Sequence, residues 1–283
     1  MLTSILAASD LSHRSSPAVA RAVQMAEWSG ARLAVLHVVE EDRPPAMEAE
    51  ERRGAETFLT EQVAGMGAPA SCEVVTRTGD AFRVIAEEAE ARAADVIVLG
   101  AHRRQILRDI FTGTTAERVT RTAGRPVLMA NSTGRRWERI FIATDMSDTS
   151  AHAARTAHAL GFLDGAEVTF LHAHAPVTRQ MMTHAGIPSD RVQAEAEHEF
   201  QTTRRDLARF LQTLGLGDLS YSARLVEGMG AEAIAGLVAQ SRPDLLVLGT
   251  RGLSGVKRLF LGSVAQELMG SLEIDMLAVP PKP

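Results

Sequence analysis

The chain repeats itself, and this internal repeat constrains its fold more than any other feature of the sequence. Ile5–Ser12 returns as Ile140–Ser147 at an offset of 135 residues, and Val98–Gly100 returns as Val247–Gly249 at an offset of 149. The two offsets place a 14-residue insertion in the second copy, with His174–Ser189 as the predicted seat because it is rich in proline and glycine. The 283 residues therefore form two copies of one domain, predicted over 1–133 and 137–283.

Each copy alternates short apolar runs of strand length with helical stretches. The predicted strands are Ile5–Ala8, Leu33–Val39, Cys72–Arg77, Val96–Leu99 and Val127–Ala130, then Arg139–Ala143, Glu167–His172, Ser220–Val226, Leu245–Leu248 and Met276–Val279. Helices are predicted over Met47–Met66, Asp80–Ala94 and Thr114–Ala123, and an earlier one with Ser16 as N-cap, Pro17 at its first position and Gly30 as C-cap.

This alternation is typical of the α/β class, with Rossmann-like, doubly wound domains in which helices cover both faces of a parallel sheet. Ligands of such sheets bind at the carboxyl ends of the strands, at the point where the strand order reverses. The loops after the first and fourth strand of each copy are therefore the ones in which we expect a site.

Composition and charge narrow the function classes. Thirty Lys and Arg against 35 Asp and Glu give a net charge of −5, which argues against a large nucleic-acid footprint. No apolar run is long enough for a membrane span, and the N-terminus lacks the pattern of a signal peptide. The single cysteine, Cys72, fits a reducing compartment, so we expect a cytoplasmic protein.

The loop after the fourth strand of the second copy carries the most informative motif. Gly249, Gly252 and the pair Gly262-Ser263 follow the pattern Gly-x2-Gly-x9-Gly-Ser, and Arg251 adds positive charge. We expect Gly249 and Gly252 to allow positive φ and a close approach of the backbone to a ligand. Gly262-Ser263 would open a helix whose first amides attract an anion. Together these residues predict a cradle for a polyphosphate.

With the early strand that ends Ala143-Thr144-Asp145, this motif resembles that of the universal stress protein family. Both copies are similar to its domain, which implies the tandem type. The resemblance implies a five-stranded parallel sheet of order 3-2-1-4-5 in each domain, and ATP or a related adenine nucleotide (ADP, AMP) as ligand, with Mg²⁺ or Mn²⁺ on the phosphates. It also implies that the two copies form an internal pseudo-dimer through their fifth strands; a homodimer of whole chains is left open.

The resemblance also implies which residues hold the nucleotide. Ala143 and Asp145, with Thr144 between them, would lie at the adenosine part, and Ala173 would line the adenine pocket. The ribose and phosphates would be surrounded by Gly249, Arg251, Gly252, Gly262, Ser263 and Val264. Taken alone, Asp145 has an equally good interpretation as a turn or cap residue, and Gly262-Ser263 as an ordinary helix start.

The first copy departs from the family pattern. Gly100 is followed, at the next glycine position, by Arg103, although Asp10 and Gly113-Thr114 still match. An arginine there brings a Cβ to a place that favours glycine, and its guanidinium could fill the phosphate site. We therefore predict a degenerate first site and a nucleotide held by the second domain.

Two competing motifs are weaker. Gly228-Met229-Gly230 opens a dinucleotide fingerprint, but it follows the third strand of its repeat, so a tight strand–helix turn is the better interpretation. His172 and His174 would point the same way on a continued strand, but no third ligand has a matching spacing for a metal.

No motif for catalysis is present beyond the phosphate cradle, since phosphoryl transfer also needs a positioned nucleophile. The favoured hypothesis is a regulatory module that binds ATP in the stress response and changes its contacts with an unknown protein partner. A slow ATPase or phosphotransferase and a nucleotide-free interaction scaffold are the alternatives.

Overall fold

The structure is a computed structural model that describes residues 1–41, 44–100, 115–133, 136–175, 181–182, 185–251 and 261–282. Its strands are β1 Ser4–Ala8, β2 Arg32–Val39, β3 Glu73–Thr78, β4 Val96–Gly100, β5 Val127–Ala130, β6 Arg139–Ala143, β7 Glu167–His174, β8 Tyr221–Glu227, β9 Leu245–Gly249 and β10 Asp275–Val279. The helices of these residues are α1 Ser16–Ser29, α2 Pro45–Gly65, α3 Ala81–Ala91, α4 Thr115–Thr122, α5 Asp148–Ala159, α6 Ser189–Thr213, α7 Gly230–Ser241 and α8 Ser263–Ser271.

The strands form one ten-stranded sheet of order β3-β2-β1-β4-β5-β10-β9-β6-β7-β8. All neighbours are parallel except β5 and β10, which pair antiparallel with Met276 opposite Met129. Each half therefore has the order 3-2-1-4-5, and the two fifth strands join the halves. The central strands β4 and β9 are almost entirely apolar, as expected for parallel strands that are buried on both faces.

Alternate side chains of the strands feed two apolar layers, one on each face of the sheet. Ile5 and Ala7 of β1 pack in the layer covered by α1, α2, α5 and α6, whereas Leu6 packs in the layer covered by α3, α4, α7 and α8. This is the doubly wound α/β arrangement that the alternation of strands and helices predicted. None of the helices within the described ranges is both long and apolar enough to cross a bilayer.

The predicted strand boundaries agree with the structure within two residues, but one predicted cap is wrong. The N-cap of α1 is Ser15 and not Ser16, because the helix already begins at Ser16 and the carbonyl oxygen of Ser15 accepts the amide of Val19 at 3.1 Å. Gly30 is the left-handed C-cap that was predicted, with a φ of 72°.

The extra residues of the second half are divided between two places. Most lie between β7 and α6, where 14 residues stand in place of the five between β2 and α2. Others lengthen α6 to 25 residues, against 21 in α2. The predicted seat of the insertion therefore holds the larger part of it, but not the whole.

Candidate functional site

Three loops meet at one edge of the sheet in the second half. β6 lies between β9 and β7, with Ile142 opposite Val247 and Ala143 opposite Leu171. The chain passes from β6 to β7 on one side and returns to β9 on the other, so the strand order reverses between β6 and β9. The carboxyl ends of these strands form the crevice in which doubly wound sheets bind ligands.

The loop after β6 is a turn built from its own polar side chains. The Thr144 hydroxyl accepts the amide of Met146 at 2.9 Å and lies 2.8 Å from the Ser150 hydroxyl. Asp145 accepts the amide of Ser147 at 3.1 Å. Met146 has a φ of 62°, which closes the turn. Because Thr144 is buried and its hydroxyl is used inside the loop, only the Asp145 end of this segment is half-exposed.

The loop after β1 has the same geometry, residue for residue. Ser9 takes the place of Thr144 and accepts the amide of Leu11 at 3.1 Å, and Leu11 has the same φ of 62°. Asp10 accepts the amide of Ser12 at 3.0 Å. Partial burial acts to raise the pKa of Asp10, but the hydrogen bonds from Ser12 and its neighbours outweigh burial and lower it. The adenosine side of the predicted site is therefore built alike in both halves.

The two histidines that suggested a metal are engaged in other contacts. β7 extends to His174, so His172 and His174 lie on the same face of the strand, as a shared metal would require. Nδ1 of His172 lies 2.8 Å from the carbonyl oxygen of Thr144, and Nδ1 of His174 lies 3.4 Å from the Thr203 hydroxyl. Among the residues that the structure describes, no three His, Cys, Asp or Glu side chains are grouped as metal ligands would be.

Ala173 lies between these histidines and faces the other side of the sheet. It pairs in register with Val226 and packs against the apolar layer under α7 and α8. The turn that follows β8 is tight: only Gly228 and Met229 separate the strand from α7, and Gly228 has a φ of 137°. The Gly228-Met229-Gly230 segment therefore has the strand–helix turn that was preferred to a dinucleotide fingerprint.

Gly249 is required by the packing of a helix rather than by positive φ, which corrects the prediction for this residue. A Cβ on Gly249 would lie 2.9 Å from Cγ2 of Thr149 and 3.3 Å from its carbonyl oxygen, and its φ lies outside the left-handed region. The first half repeats this contact, where a Cβ on Gly100 would lie 2.7 Å from the carbonyl oxygen of Arg14. The space into which a side chain at Gly249 would project is thus filled by the start of α5.

A single hydrogen bond brings the two ends of the glycine motif together. The amide of Gly262 donates to the carbonyl oxygen of Thr250 at 2.8 Å, while the amide of Thr250 donates to Val279 on β10 at 2.9 Å. Arg251, next to Thr250, and Ser263, next to Gly262, therefore lie on either side of this hydrogen bond. Gly262 is the N-cap of α8 with an ordinary φ of −61°, and Gly252 lies outside the described residues.

The first turns of α8 and α4 differ in charge. Among the described residues no side chain caps α8, its first turn has no acidic residue, and Ser263 and Val264 are exposed. In the first half Glu117 lies in the first turn of α4 and is only 6% exposed. A carboxylate in the first turn stabilises the N-terminus of a helix, as a bound anion would. Arg103 and Gly113-Thr114 lie outside the described residues.

The structure thus places the predicted site residues at one edge of the sheet, with Gly252 as the one that lies outside the described ranges. Ala143 ends β6, and Thr144 and Asp145 follow it; Ala173 is the last residue but one of β7. Gly249 ends β9 and Arg251 lies two residues beyond it, while Gly262 is the N-cap of α8 and Ser263 and Val264 are its first residues. Sequence reasoning missed Ser150 and considered His172 only as a metal ligand, whereas both fix the loop after β6. Their counterparts Ser15 and His37 at the same offset were the signal that could have revealed them.

The fold and this strand-end crevice define a two-domain α/β protein of the doubly wound type. The sequence matches the universal stress protein family twice, over residues 1–131 and 136–280, and the chain belongs to that family. It is 30% identical over 143 residues to a universal stress protein of Thermus aquaticus, covering 50% of this chain and 98% of the relative. A relative from Methanocaldococcus jannaschii is 26% identical over 147 residues, covering 50% of this chain and 82% of the relative.

Solved structures share the whole two-domain fold. A universal stress protein from Archaeoglobus fulgidus superposes with a TM-score of 0.72 at 17% identity, covering 99% of this chain and 98% of that one. A protein of unknown function from Pseudomonas aeruginosa gives a TM-score of 0.63 at 19% identity, covering 99% and 93%. The predicted tandem resemblance and the predicted fold class are both confirmed.

Proposed function

We propose that this protein is a cytoplasmic regulatory module of the stress response that binds an adenine nucleotide, ATP in the first place, in its second domain. One observation carries the proposal: the hydrogen bond from Gly262 to Thr250 sets the N-terminus of α8, which no described side chain caps, beside the end of β9, and β9 pairs with β6. Backbone amides at an open helix N-terminus, with Arg251 nearby, suit a chain of phosphates.

The described residues fit the parts of a nucleotide in a definite order. The amides of Ser263 and Val264 and the Ser263 hydroxyl would hold phosphates, and Arg251 would add charge from β9. Asp145 and Ala173 would border the adenosine. No carboxylate lies in the first turn of α8, so we propose that Mg²⁺ or Mn²⁺ is held chiefly by the phosphates.

The two domains are proposed to differ in affinity. Both keep the turn after the first strand, with Asp10 and Asp145 at equivalent places. The first domain departs from the motif at Arg103, and its α4 has Glu117 in the first turn, where α8 has no acidic residue. We therefore propose one nucleotide for each chain, held by the second domain.

The experiment is an isothermal titration of ATP with Mg²⁺ into wild type and three variants. Ser263→Asp puts a negative charge at the start of α8, where it stabilises the helix but competes with phosphate. We expect it to lower the affinity for ATP by about tenfold or more without loss of thermal stability. Ser263→Ala, which removes only the hydroxyl, is expected to have the smaller effect.

Ser189→Asp is the matched control, because Ser189 is the exposed first residue of α6, another helix of the same domain. It should leave ATP affinity unchanged. Equal affinities in wild type and Ser263→Asp, or two equivalent nucleotides for each chain, would contradict the proposed site. No binding by wild type would favour the nucleotide-free scaffold, and sustained ADP release with metal would favour a slow ATPase.

A further inference from the structure

The two domains meet at a buried carboxylate. Asp275, the first residue of β10, is completely buried, and it accepts hydrogen bonds from the amides of Asn131 and Ser132 at 2.9 and 3.0 Å. It also accepts from Nε1 of Trp137 at 2.9 Å and pairs with Nε of Arg21 at 3.0 Å. Arg21, Asn131 and Ser132 belong to the first domain, so the charge of Asp275 is compensated from outside its own domain.

Arg21 is nearly as deeply buried as its partner. It is 3% exposed, and it donates a further hydrogen bond to the Ser132 hydroxyl at 2.8 Å. Its guanidinium carbon lies 5.0 Å from the centre of the Trp137 ring. Trp137 in turn contacts Phe162 with a ring separation of 4.9 Å. The pair is therefore enclosed by the junction and shielded from water.

The repeat shows that this pair occurs only once. At the offset of 135, Arg21 corresponds to Thr156 of α5, and at the offset of 149, Asp275 corresponds to Pro126 before β5. The cation belongs to the first domain alone and the carboxylate to the second alone. β5 and β10 are otherwise similar short apolar strands, and their backbones could equally pair like with like.

We propose that Arg21 and Asp275 make the pairing of the two domains selective, so that a first domain accepts only a second domain. A junction of two second domains would bury two Asp275 carboxylates opposite Thr156. A junction of two first domains would bury two Arg21 guanidiniums without a carboxylate. Burying an uncompensated charge is strongly unfavourable, and such penalties against wrong partners produce specificity. The inference does not depend on nucleotide binding.

The test uses the folded full chain with a protease site inserted between Thr133 and Arg136, which is cleaved after folding. Isotopically labelled and unlabelled cleaved protein are mixed at a moderate urea concentration, and native mass spectrometry identifies the pairs. For wild type we expect exchanged pairs of one first and one second half, with like pairs below about one tenth. For Arg21→Thr/Asp275→Pro, in which each domain carries the other's residue, we expect like pairs to approach about half, the statistical share.

Asp275→Asn distinguishes the effect of the charge from an effect on folding, because asparagine retains the shape of the side chain and part of its hydrogen bonding but carries no charge. We expect several times more like pairs in this variant than in wild type. An Asn variant as selective as wild type, or a wild type whose like pairs match those of the double variant, would overturn the proposal. These outcomes are independent of ATP affinity, which the titration of the Ser263 variants measures separately.

Discussion

Single polar residues determine the backbone at the strand ends of this protein. Ser9 and Thr144 are different amino acids with the same structural role, since each hydroxyl accepts a hydrogen bond from the amide two residues later. Each is also fixed from the neighbouring strand, where Nδ1 of His37 or His172 contacts its carbonyl oxygen. With a carbonyl oxygen as its partner, Nδ1 is the hydrogen-bond donor in both rings.

The Cys72 thiol is expected to react slowly with alkylating reagents at neutral pH. The thiol is half-buried before β3, burial raises its pKa, and the negative charge of Glu73 raises it further. A raised pKa reduces the thiolate fraction at neutral pH, and the thiolate is the reactive form. We expect alkylation by iodoacetamide to reach half its maximal rate above pH 9.0, the ordinary value for this group.

Glu73→Gln tests the cause of this shift. Removing the carboxylate should lower the midpoint of the alkylation profile, because one of its two causes is gone. A wild-type midpoint well below pH 9.0 would show an activated thiol and contradict the assignment.

Helix starts and strand ends are packed together more closely than the sequence could show. Gly249 was interpreted as a residue of the ligand cradle, yet the start of α5 occupies the space where its Cβ would be. Glycine after a strand has two physical reasons, positive φ and close approach, and the sequence does not distinguish them. The repeat distinguishes them, because Gly100 is packed in the same way against Arg14, the equivalent of Thr149, in the half whose motif is degenerate.

Gly249→Ala is therefore expected to destabilise the fold. The new methyl group would lie 2.9 Å from Cγ2 of Thr149 and 3.3 Å from its backbone, so α5 must shift, at a cost of about 1–3 kcal/mol. Urea unfolding measures this loss. The control is Gly236→Ala in α7, where a Cβ meets nothing within 4 Å, and a gain of about 0.5–1 kcal/mol is expected. Equal stability of the two variants would contradict the packing role.

Secondary structure was largely predictable because the repeat supplied each pattern twice. Buried parallel strands are continuous apolar runs, so Val127–Ala130 and Arg139–Ala143 were predicted to the residue. Helix ends were less accurate: α3 ends three residues early, because Ala93 adopts a φ of 47° and the amide of Ala94 turns back to Ala89. Such a non-glycine stop has no sequence signature.

At the scale of the whole molecule, the sequence predicted two domains but not the ion pair between Arg21 and Asp275 at their junction. Asp275 stands where the first domain has Pro126, but the sequence does not show what the carboxylate contacts. Its partners are distant along the chain: Trp137 lies 138 residues away and Asn131 lies 144 away. Only the antiparallel pairing of β5 with β10 brings these groups together, and local patterns carry no information on that pairing.

The continuous sheet has a consequence for unfolding. Trp28 and Trp137 are the only two tryptophans, and both lie at the junction, where Phe162 contacts each of their rings. Tryptophan fluorescence therefore monitors the junction, while far-UV circular dichroism monitors all helices and strands. Docking gives Asp275 its contacts with Arg21, Asn131 and Ser132, and the two halves share one sheet. We therefore expect the two signals to change together in urea.

Asp275→Asn should uncouple the two signals. Removing one partner of a buried ion pair costs about 3–5 kcal/mol, and here the cost falls on the junction alone. We expect the fluorescence midpoint of this variant to move to lower urea than its circular dichroism midpoint, because the domains part before their own cores unfold. If the wild-type fluorescence transition already precedes the loss of helical signal, the junction is the weakest part of the molecule, and the stabilising role of Asp275 is refuted.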